Sequence, residues 1–288
     1  PRMADAPEGV RLAIAAPRGE AKSTFVSLFF VLWAVLTGRK HYILIIADAL
    51  EQAASLLGAV KDELEFNEAL KRDFPGAGKG HVWNVGTVVT PGNVKIQALG
   101  AGKRMRGLRH GPHRPDLIVL DDLENDGNVD KPEQRDKLQS WLQKTVLNLG
   151  AADGSMDVVY VGTLLHYDSV LARTLRKPLW KARTFRSILR WPDRMDLWDE
   201  WESLLSSRGE AEARRFYRQH RVKMEAGAEV SWPASRPLYR LMCLRVEDRE
   251  AFDSEQQNDP LSANEAPFNG CITFWVDRSR DWLLFGAV

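Results

Sequence analysis

The sequence predicts an α/β fold, with a mostly parallel central sheet flanked by helices and a smaller, mainly helical subdomain after it. Apolar runs of four to seven residues alternate with segments of helical periodicity. Such continuously apolar strands are typical of parallel sheets covered on both faces. The chain of 288 residues is long enough for one large domain and an appendage. From about residue 190 onward it is richer in Trp, Arg and Glu, so we predict two units, residues 1–190 and 191–288.

The elements follow from apolar patterning and from turn residues. Asp48 is expected to cap a helix that ends near Asn67. Pro91-Gly92-Asn93 between two apolar runs, 87–90 and 94–99, indicates a hairpin. The remaining predicted strands are Val10–Ala16, Tyr42–Ala47, Leu117–Leu120 and Val158–Val161, and the remaining predicted helices are Lys22–Thr37, Pro132–Leu147, Leu197–Ser207, Glu210–Ala226 and Val246–Phe252.

Composition excludes several classes of protein. The net charge of +1 indicates no general affinity for nucleic acid, so any DNA contact must come from a local patch. Cys243 and Cys271 form no CxxC motif, which argues against a zinc site and a disulfide framework and fits a reducing cytoplasm. The longest apolar run, Phe25–Leu36, is shorter than the roughly twenty residues that a membrane span needs.

A phosphate-binding loop is predicted between the first strand and the first helix. Residues 16–23 read APRGEAKS, and the consensus G-x-x-x-x-G-K-[ST] has alanine here at both glycine positions. A buried strand before the loop and an apolar helix after it supply the arrangement that the motif requires. We expect Lys22 to contact the β- and γ-phosphates of ATP and Ser23 to ligate Mg²⁺. The expected nucleotide-binding residues are Pro17, Arg18, Gly19, Glu20, Ala21, Lys22, Ser23 and Thr24.

Two carboxylates end the strand Leu117–Leu120. A phosphate-loop enzyme needs one carboxylate beside Mg²⁺ and one that orients the attacking water. Asp121 fits the first role. Asp122 is the first candidate for the second role, and Glu124 is its rival, with a longer side chain but the wrong strand phase.

A basic, glycine-containing loop, residues 100–114, precedes this strand. Its position beside the expected site predicts a contact with phosphate, within the chain or from a neighbouring subunit. Arg106 is the first candidate for a contact in trans, because Gly102 and Gly107 bracket it, and Arg109 is the second. The basic cluster comprises Lys103, Arg104, Arg106, Arg109, His110, His113 and Arg114.

In combination and in this order, the motifs resemble those of the phage large terminase, the motor that packages DNA into procapsids. The matching pieces are APRGEAKST (16–24), GAGKRMRGLRHG (100–111), RPDLIVLDDLEND (114–126), VVYVGTLLHYDSVLAR (158–173) and FDSEQQNDP (252–260). The resemblance implies a P-loop NTPase fold of the additional-strand type, with residues 191–288 as a lid or linker subdomain. It implies ATP and Mg²⁺ as cofactors, with Asp121 at the metal.

The same resemblance implies roles for further residues and for partners. Arg18 matches an arginine that is usual in the family's phosphate loop, and Gly162-Thr163 matches the motif that couples loss of γ-phosphate to DNA movement. Arg104, Arg106 and Arg109 lie in the segment that supplies an arginine finger to a neighbouring subunit. The implied partners are double-stranded DNA, the portal protein, the small terminase subunit and further copies in a ring, in the host cytoplasm and without a membrane.

Two departures from the family shape the expectation. Only nine residues precede the first strand, so the family's adenine-contacting segment is expected to be missing. Residues 281–288 resemble the first strand of the family's nuclease domain, so the chain is expected to hold the ATPase domain and its lid without the nuclease. Such a fragment is expected to be monomeric. Two alternatives remain: a metal nuclease that uses Asp253, Glu255 and Asp259, and a degenerate P-loop scaffold that binds other packaging components.

Overall fold

The computed structural model describes residues 8–103 and 105–260, and the backbone of two further strands, 272–277 and 282–287. The strands are β1 Arg11–Ala15, β2 Tyr42–Ala47, β3 Val82–Trp83, β4 Thr87–Val89, β5 Lys95–Gly100, β6 Leu117–Asp121, β7 Asp157–Gly162, β8 Lys181–Thr184, β9 Ile188–Arg190, β10 Glu229–Val230, β11 Ile272–Asp277 and β12 Trp282–Ala287. The helices are α1 Val31–Leu36, α2 Leu50–Phe66, α3 Glu68–Asp73, α4 Asp126–Val129, α5 Pro132–Lys144, α6 Val170–Leu175, α7 Met195–Arg208, α8 Glu210–Glu225, α9 Leu238–Glu247 and α10 Arg249–Glu255. A π-helical segment Thr24–Phe30 leads into α1, and a 3-10 turn Val146–Asn148 follows α5.

An eight-stranded sheet forms the centre of the fold, in the order β3-β4-β5-β2-β6-β7-β1-β8. The strands from β5 to β8 pair in parallel, whereas β3 and β4 pair antiparallel at one edge. All six residues of β2 are buried. Its alternate residues enter two separate apolar clusters, one with Leu44 and α5 and one with Ile45 and α2. The predicted α/β class, with helices on both faces, is confirmed.

The parallel register gathers the carboxyl ends of the strands at one edge of the sheet. Asp121 lies opposite Ala47 of β2 and Val161 of β7, and Ala15 lies opposite Gly162. The phosphate loop, the acidic strand end and the Gly162-Thr163 strand end therefore meet, although they are far apart in sequence.

Two predicted helices differ from those observed. Ala49 is the N-cap of α2 and makes no side-chain cap bond. Asp48 instead accepts hydrogen bonds from the side-chain amides of Asn125 (2.5 Å) and Asn128 (3.2 Å). The predicted helix Val246–Phe252 is wrong, because α9 ends at Glu247 and Asp248 caps a new helix by accepting from the backbone N–H of Ala251 at 2.9 Å.

The segment from β9 to α10 builds a third apolar cluster. Trp198 and Trp201 are its largest fully buried side chains, and their ring centroids lie 5.5 Å apart. Strands β11 and β12 pair antiparallel, and β12 covers most of the predicted terminal strand 281–288. Residues 281 and 288 themselves, and Cys271, lie outside the described residues. Of the helices described, none combines the length and apolar character needed to cross a membrane.

Candidate nucleotide-binding site

The phosphate loop has the left-handed backbone that its consensus glycine normally supplies. Ala21 stands at the second glycine position and adopts φ +55°, and Gly19 adopts φ +79°. An L-residue pays about 1 kcal/mol for this conformation. The loop therefore keeps a strained alanine where the motif requires a tight turn into the helix that begins with Lys22.

Asp121 meets the phosphate loop through two serine hydroxyls. Ser23 Oγ donates to Asp121 Oδ1 at 3.0 Å, and Ser27 Oγ donates to Asp121 Oδ2. The carboxylate is fully buried. Burial raises the pKa of Asp121 from 3.8 to about 6, although the hydrogen bonds from Ser27 and Ser23 and the charge of Lys22 act in the opposite direction. Ser23 and Asp121, both expected at the metal, are thus hydrogen-bonded to each other, whereas the sequence reasoning missed Ser27.

Ser27 had a signal in the sequence that the motif did not cover. It lies four residues after Ser23, so both hydroxyls lie on the same side of a helix. Ser27 is also 1% exposed, inside a π-helical segment of a type often found at functional sites.

Lys22 is paired with Asp122. Its Nζ lies 3.0 Å from Asp122 Oδ2, and the lysine side chain is only 10% exposed. Asp122 adopts φ +46°, and its backbone is fixed by donating to Val161 O at 3.0 Å. A Cβ on Gly162 would lie 3.3 Å from Asp122 Oδ1, so glycine leaves room for this carboxylate. The turn after β6 therefore points Asp122, and not Asp121, at the lysine.

Glu124 is occupied by the start of α6. Its two carboxylate oxygens accept from the backbone N–H groups of Val170 (2.7 Å) and Leu171 (3.1 Å) and from Tyr160 Oη (3.2 Å). Burial raises the pKa of Glu124, and these hydrogen bonds partly counter the rise. Three of the roughly four acceptor sites of this carboxylate are therefore used.

Thr163 connects the end of β7 to the phosphate loop. Its Oγ1 donates to Ala16 O at 3.2 Å, and Ala16 N donates to Gly162 O at 2.9 Å. The next backbone N–H, of Leu164, donates to Asn258 Oδ1 at 2.9 Å. A displacement of the phosphate loop would therefore act directly on this strand end and on the segment around Asn258.

The charged side chains at positions 18 and 20 contact residues that follow β8 in the chain. Arg18 Nη1 lies 2.5 Å from Glu255 Oε1, and the arginine side chain remains 55% exposed. Glu20 Oε1 accepts from the hydroxyls of Ser187 and Ser231, each at 2.7 Å. The loop thus tolerates an acidic residue because its carboxylate accepts from two hydroxyls, those of Ser187 before β9 and Ser231 after β10.

One cavity brings several predicted residues together. Its volume is about 190 Å³, and it opens beside the loop. Among the residues that line it are Arg18, Asp48, Asp122, Glu124 and Thr163. The backbone turn of Asp122 makes that carboxylate the one that lines this cavity and also pairs with Lys22.

The basic loop is anchored at Lys103 and Met105, and its tip at Arg106 and Gly107 is exposed. Met105 is 1% exposed, and Trp141 Nε1 donates to Lys103 O at 3.0 Å. Arg106 and Gly107 form an exposed turn, with φ +82° at Gly107. Arg104 lies outside the described residues. The tip is accessible to a neighbouring molecule, but the anchors restrict the extension that the two glycines suggested.

The acids of the nuclease alternative have other partners. Glu255 pairs with Arg18, and Asp259 Oδ2 lies 3.6 Å from Arg186 Nη2. Burial raises the pKa of Asp253. Within the described residues, no three His, Cys, Asp or Glu side chains form a group that holds a metal ion.

Comparison with solved structures gives distant likenesses, of which two are described here. No protein-family model matches the sequence, and the curated proteins give no match. The large terminase ATPase domain of Thermus phage P74-26 is similar in structure, with a TM-score of 0.45 and 16% sequence identity over 89% of this chain and 90% of that chain. A mutant of the same domain has a TM-score of 0.43 and 13% identity over the same shares.

Proposed function

We propose that this chain is the ATPase motor domain of a phage large terminase, which hydrolyses ATP to drive double-stranded DNA into procapsids. The observation that carries the nucleotide site is the contact of Ser23 with Asp121, which joins the loop motif to the acidic strand end across 98 residues of sequence. The packaging role is supported by the ordered motifs that resemble the large terminase. Portal protein, small terminase subunit and a ring of copies in the host cytoplasm are part of the same proposal.

The oxygen atoms beside Asp121 fit Mg²⁺. Ser23 Oγ and Asp121 Oδ1 lie 3.0 Å apart. Neighbouring oxygen ligands of an octahedral Mg²⁺ lie about 3 Å apart, given metal–oxygen distances of about 2.1 Å. Mg²⁺ is usually held by one or two carboxylates together with substrate phosphates, so a single aspartate with a serine is sufficient. When bound, the ion neutralises charge on the phosphate oxygens.

Lys22 is assigned the phosphate contact and Asp122 the orientation of the attacking water. Asp122 Oδ2 lies 3.0 Å from Lys22 Nζ and balances its charge. A phosphate on the loop competes for the same ammonium group, because it carries more negative charge than one carboxylate. Asp122 then becomes available to accept a proton from water and to orient that water toward the γ-phosphate. Arg18 lines the cavity of about 190 Å³ that Asp122 also lines, so its guanidinium is placed to act within the subunit.

The first experiment is Mg²⁺-dependent ATP hydrolysis and nucleotide binding by Lys22→Ala. Removal of the lysine takes away a direct phosphate contact, so hydrolysis is expected to vanish and binding to weaken strongly. Lys223→Ala, an exposed lysine on α8, is the matched control. Wild-type rates in Lys22→Ala would refute the loop assignment. Failure of the wild-type chain to bind any ATP analogue would favour the degenerate scaffold instead.

The two candidate water-orienting acids are separated by a pair of substitutions. Asp122→Asn is expected to retain ATP binding while turnover falls, because the amide no longer accepts a proton from water. Glu124→Gln is expected to lower thermal stability more than it lowers turnover, because it weakens two bonds to the start of α6 and one to Tyr160 of β7. Loss of turnover in Glu124→Gln alone would transfer the role to Glu124.

The chain is proposed not to cut DNA with Mg²⁺ or Mn²⁺. Two-metal hydrolysis needs several carboxylates converging on ions about 4 Å apart. Glu255 and Asp259 are engaged by arginines instead. Plasmid nicking by highly purified protein that disappears in Asp259→Asn would establish the nuclease alternative.

A further inference from the structure

Arg236, in the turn before α9, lies against the phosphate loop. A Cβ built on Gly19 would lie 2.1 Å from Arg236 Nη2 and 3.0 Å from its Cζ, so the guanidinium occupies the space beside this glycine. Gly19 is therefore required for two reasons, its φ of +79° and the close approach of the arginine. The sequence motif gave no sign of this contact, because 217 positions separate the two residues (236 minus 19).

Residues before α9 and after α10 fix the position of Arg236. Arg236 Nη1 donates to Gln256 Oε1 at 2.5 Å, and Arg236 N donates to Trp232 O at 2.9 Å. Gln256 is itself 5% exposed and accepts from Ser187 N at 2.8 Å. The buried side chain of Gln256 thus fixes Nη1, and Nη2 lies beside Gly19 of the loop.

The charge of Arg236 has no carboxylate partner in the part of the chain that the structure describes. Among residues 8–103 and 105–260, no ion pair within 4.0 Å involves Arg236, and its side-chain acceptor is the neutral Gln256. Two acids that contact this region are engaged elsewhere, Glu20 by Ser187 and Ser231 and Glu255 by Arg18. A positioned, unpaired guanidinium against a phosphate-binding loop has the chemistry of an anion contact.

We propose that Arg236 contacts the phosphates of the nucleotide from within the same subunit, as a second cation beside Lys22. The inference rests on the proposed nucleotide site and adds a residue from the C-terminal unit to it. Because Arg236 precedes α9 and its acceptor Gln256 follows α10, the contact links phosphate occupancy to the position of both helices. This arginine is distinct from Arg106, which lies in an exposed turn before β6 and is the candidate for a contact with a neighbouring subunit.

The experiment measures dissociation constants of fluorescent ADP and ATP analogues for the full chain. Arg236→Ala is expected to weaken the binding of the ADP analogue and of the ATP analogue by about 10- to 100-fold, the range for a hydrogen bond between charged groups. Arg236→Lys retains the charge but loses the planar fork, so it is expected to recover part of the affinity. Arg240→Ala, one turn further along and exposed, is the control that removes an equal charge.

Gln256→Ala distinguishes a phosphate contact from a tether. It removes the acceptor of Arg236 and keeps the guanidinium, so it is expected to cost less affinity than Arg236→Ala. Equal losses in these two variants, with no recovery in Arg236→Lys, would show that the arginine only fastens the C-terminal unit. Affinity in Arg236→Ala matching that of Arg240→Ala would also overturn the proposal. In either case, loss of binding in Lys22→Ala would leave the proposed function intact, whereas no binding by wild-type protein would remove both.

Discussion

Replacing Asp121 by asparagine is expected to stabilise the metal-free protein while abolishing Mg²⁺-dependent hydrolysis. Lys22, the nearest cation of the loop, pairs with Asp122 and leaves Asp121 with two serine donors only. The charge on Asp121 is fully buried and has a pKa of about 6. A site that retains a costly charge for its metal should gain stability when that charge is removed.

The magnitude follows from the pKa of Asp121. The rise from 3.8 to about 6 corresponds to about 3 kcal/mol, at about 1.4 kcal/mol for each tenfold change in proton affinity. Because the folded protein binds this proton more tightly than the unfolded chain does, the contribution of Asp121 to stability is most favourable below pH 4. It falls as the pH rises toward 6 and stays low above that. Asparagine keeps one acceptor for a serine but loses the charged hydrogen bonds, so we expect a net gain of about 1–2 kcal/mol at pH 8.

The assay is thermal unfolding in EDTA at pH 5 and pH 8. The gain corresponds to a rise in Tm of roughly 2–8 °C at pH 8, with a smaller rise at pH 5, where wild-type Asp121 is largely protonated. Asp157→Asn is the matched control, because Asp157 is equally buried but lies 2.8 Å from the buried Lys40. Replacement of Asp157 leaves Lys40 unpaired and is expected to lower the free energy of unfolding by about 3–5 kcal/mol.

Two results would refute this reasoning. A lower Tm for Asp121→Asn at pH 8 would mean that the serine bonds outweigh the cost of burial. An equal Tm difference at pH 5 and pH 8 would mean that the charge of Asp121 is not the cause. Retention of full Mg²⁺-dependent ATP hydrolysis would remove Asp121 from the metal site, whatever its effect on stability.

Two further predictions concern the backbone of the loop and the assembled motor. Ala21→Gly relieves the left-handed strain at position 21, so it is expected to be less destabilising than Ala16→Gly. The expected difference in the free energy of unfolding, measured by denaturant, is about 1 kcal/mol. The reverse order would show that Ala21 is not strained. Arg106→Ala subunits, whose phosphate loops are intact, should regain ATPase activity in part when mixed with Lys22→Ala subunits of the full-length motor, because some interfaces then hold both parts. Full activity of Arg106→Ala alone, or no rescue despite co-assembly, would move the trans role to Arg109.

The sequence alone determined the sheet and the place of the loop. Continuously apolar runs such as Tyr42–Ala47 coincide with buried parallel strands, because covering both faces of a sheet leaves no position for polar residues. The hairpin at Pro91-Gly92-Asn93 follows from local turn chemistry, with Asn93 at φ +58°. At Asp48 the helix cap that local chemistry predicts is absent, because distant partners, Asn125 and Asn128, bind the carboxylate instead.

Only the tertiary structure decided how the charged side chains are shared at the site. Asp121 and Asp122 are adjacent in sequence, yet one is buried under Ser23 and Ser27 and the other turns to Lys22, because the backbone of Asp122 is left-handed. Glu124 is occupied by a helix start 46 residues away. Arg236 reaches Gly19 through the packing of the C-terminal helices. Such pairings depend on distances of about 3 Å between segments far apart in the chain, and local periodicity carries no record of them.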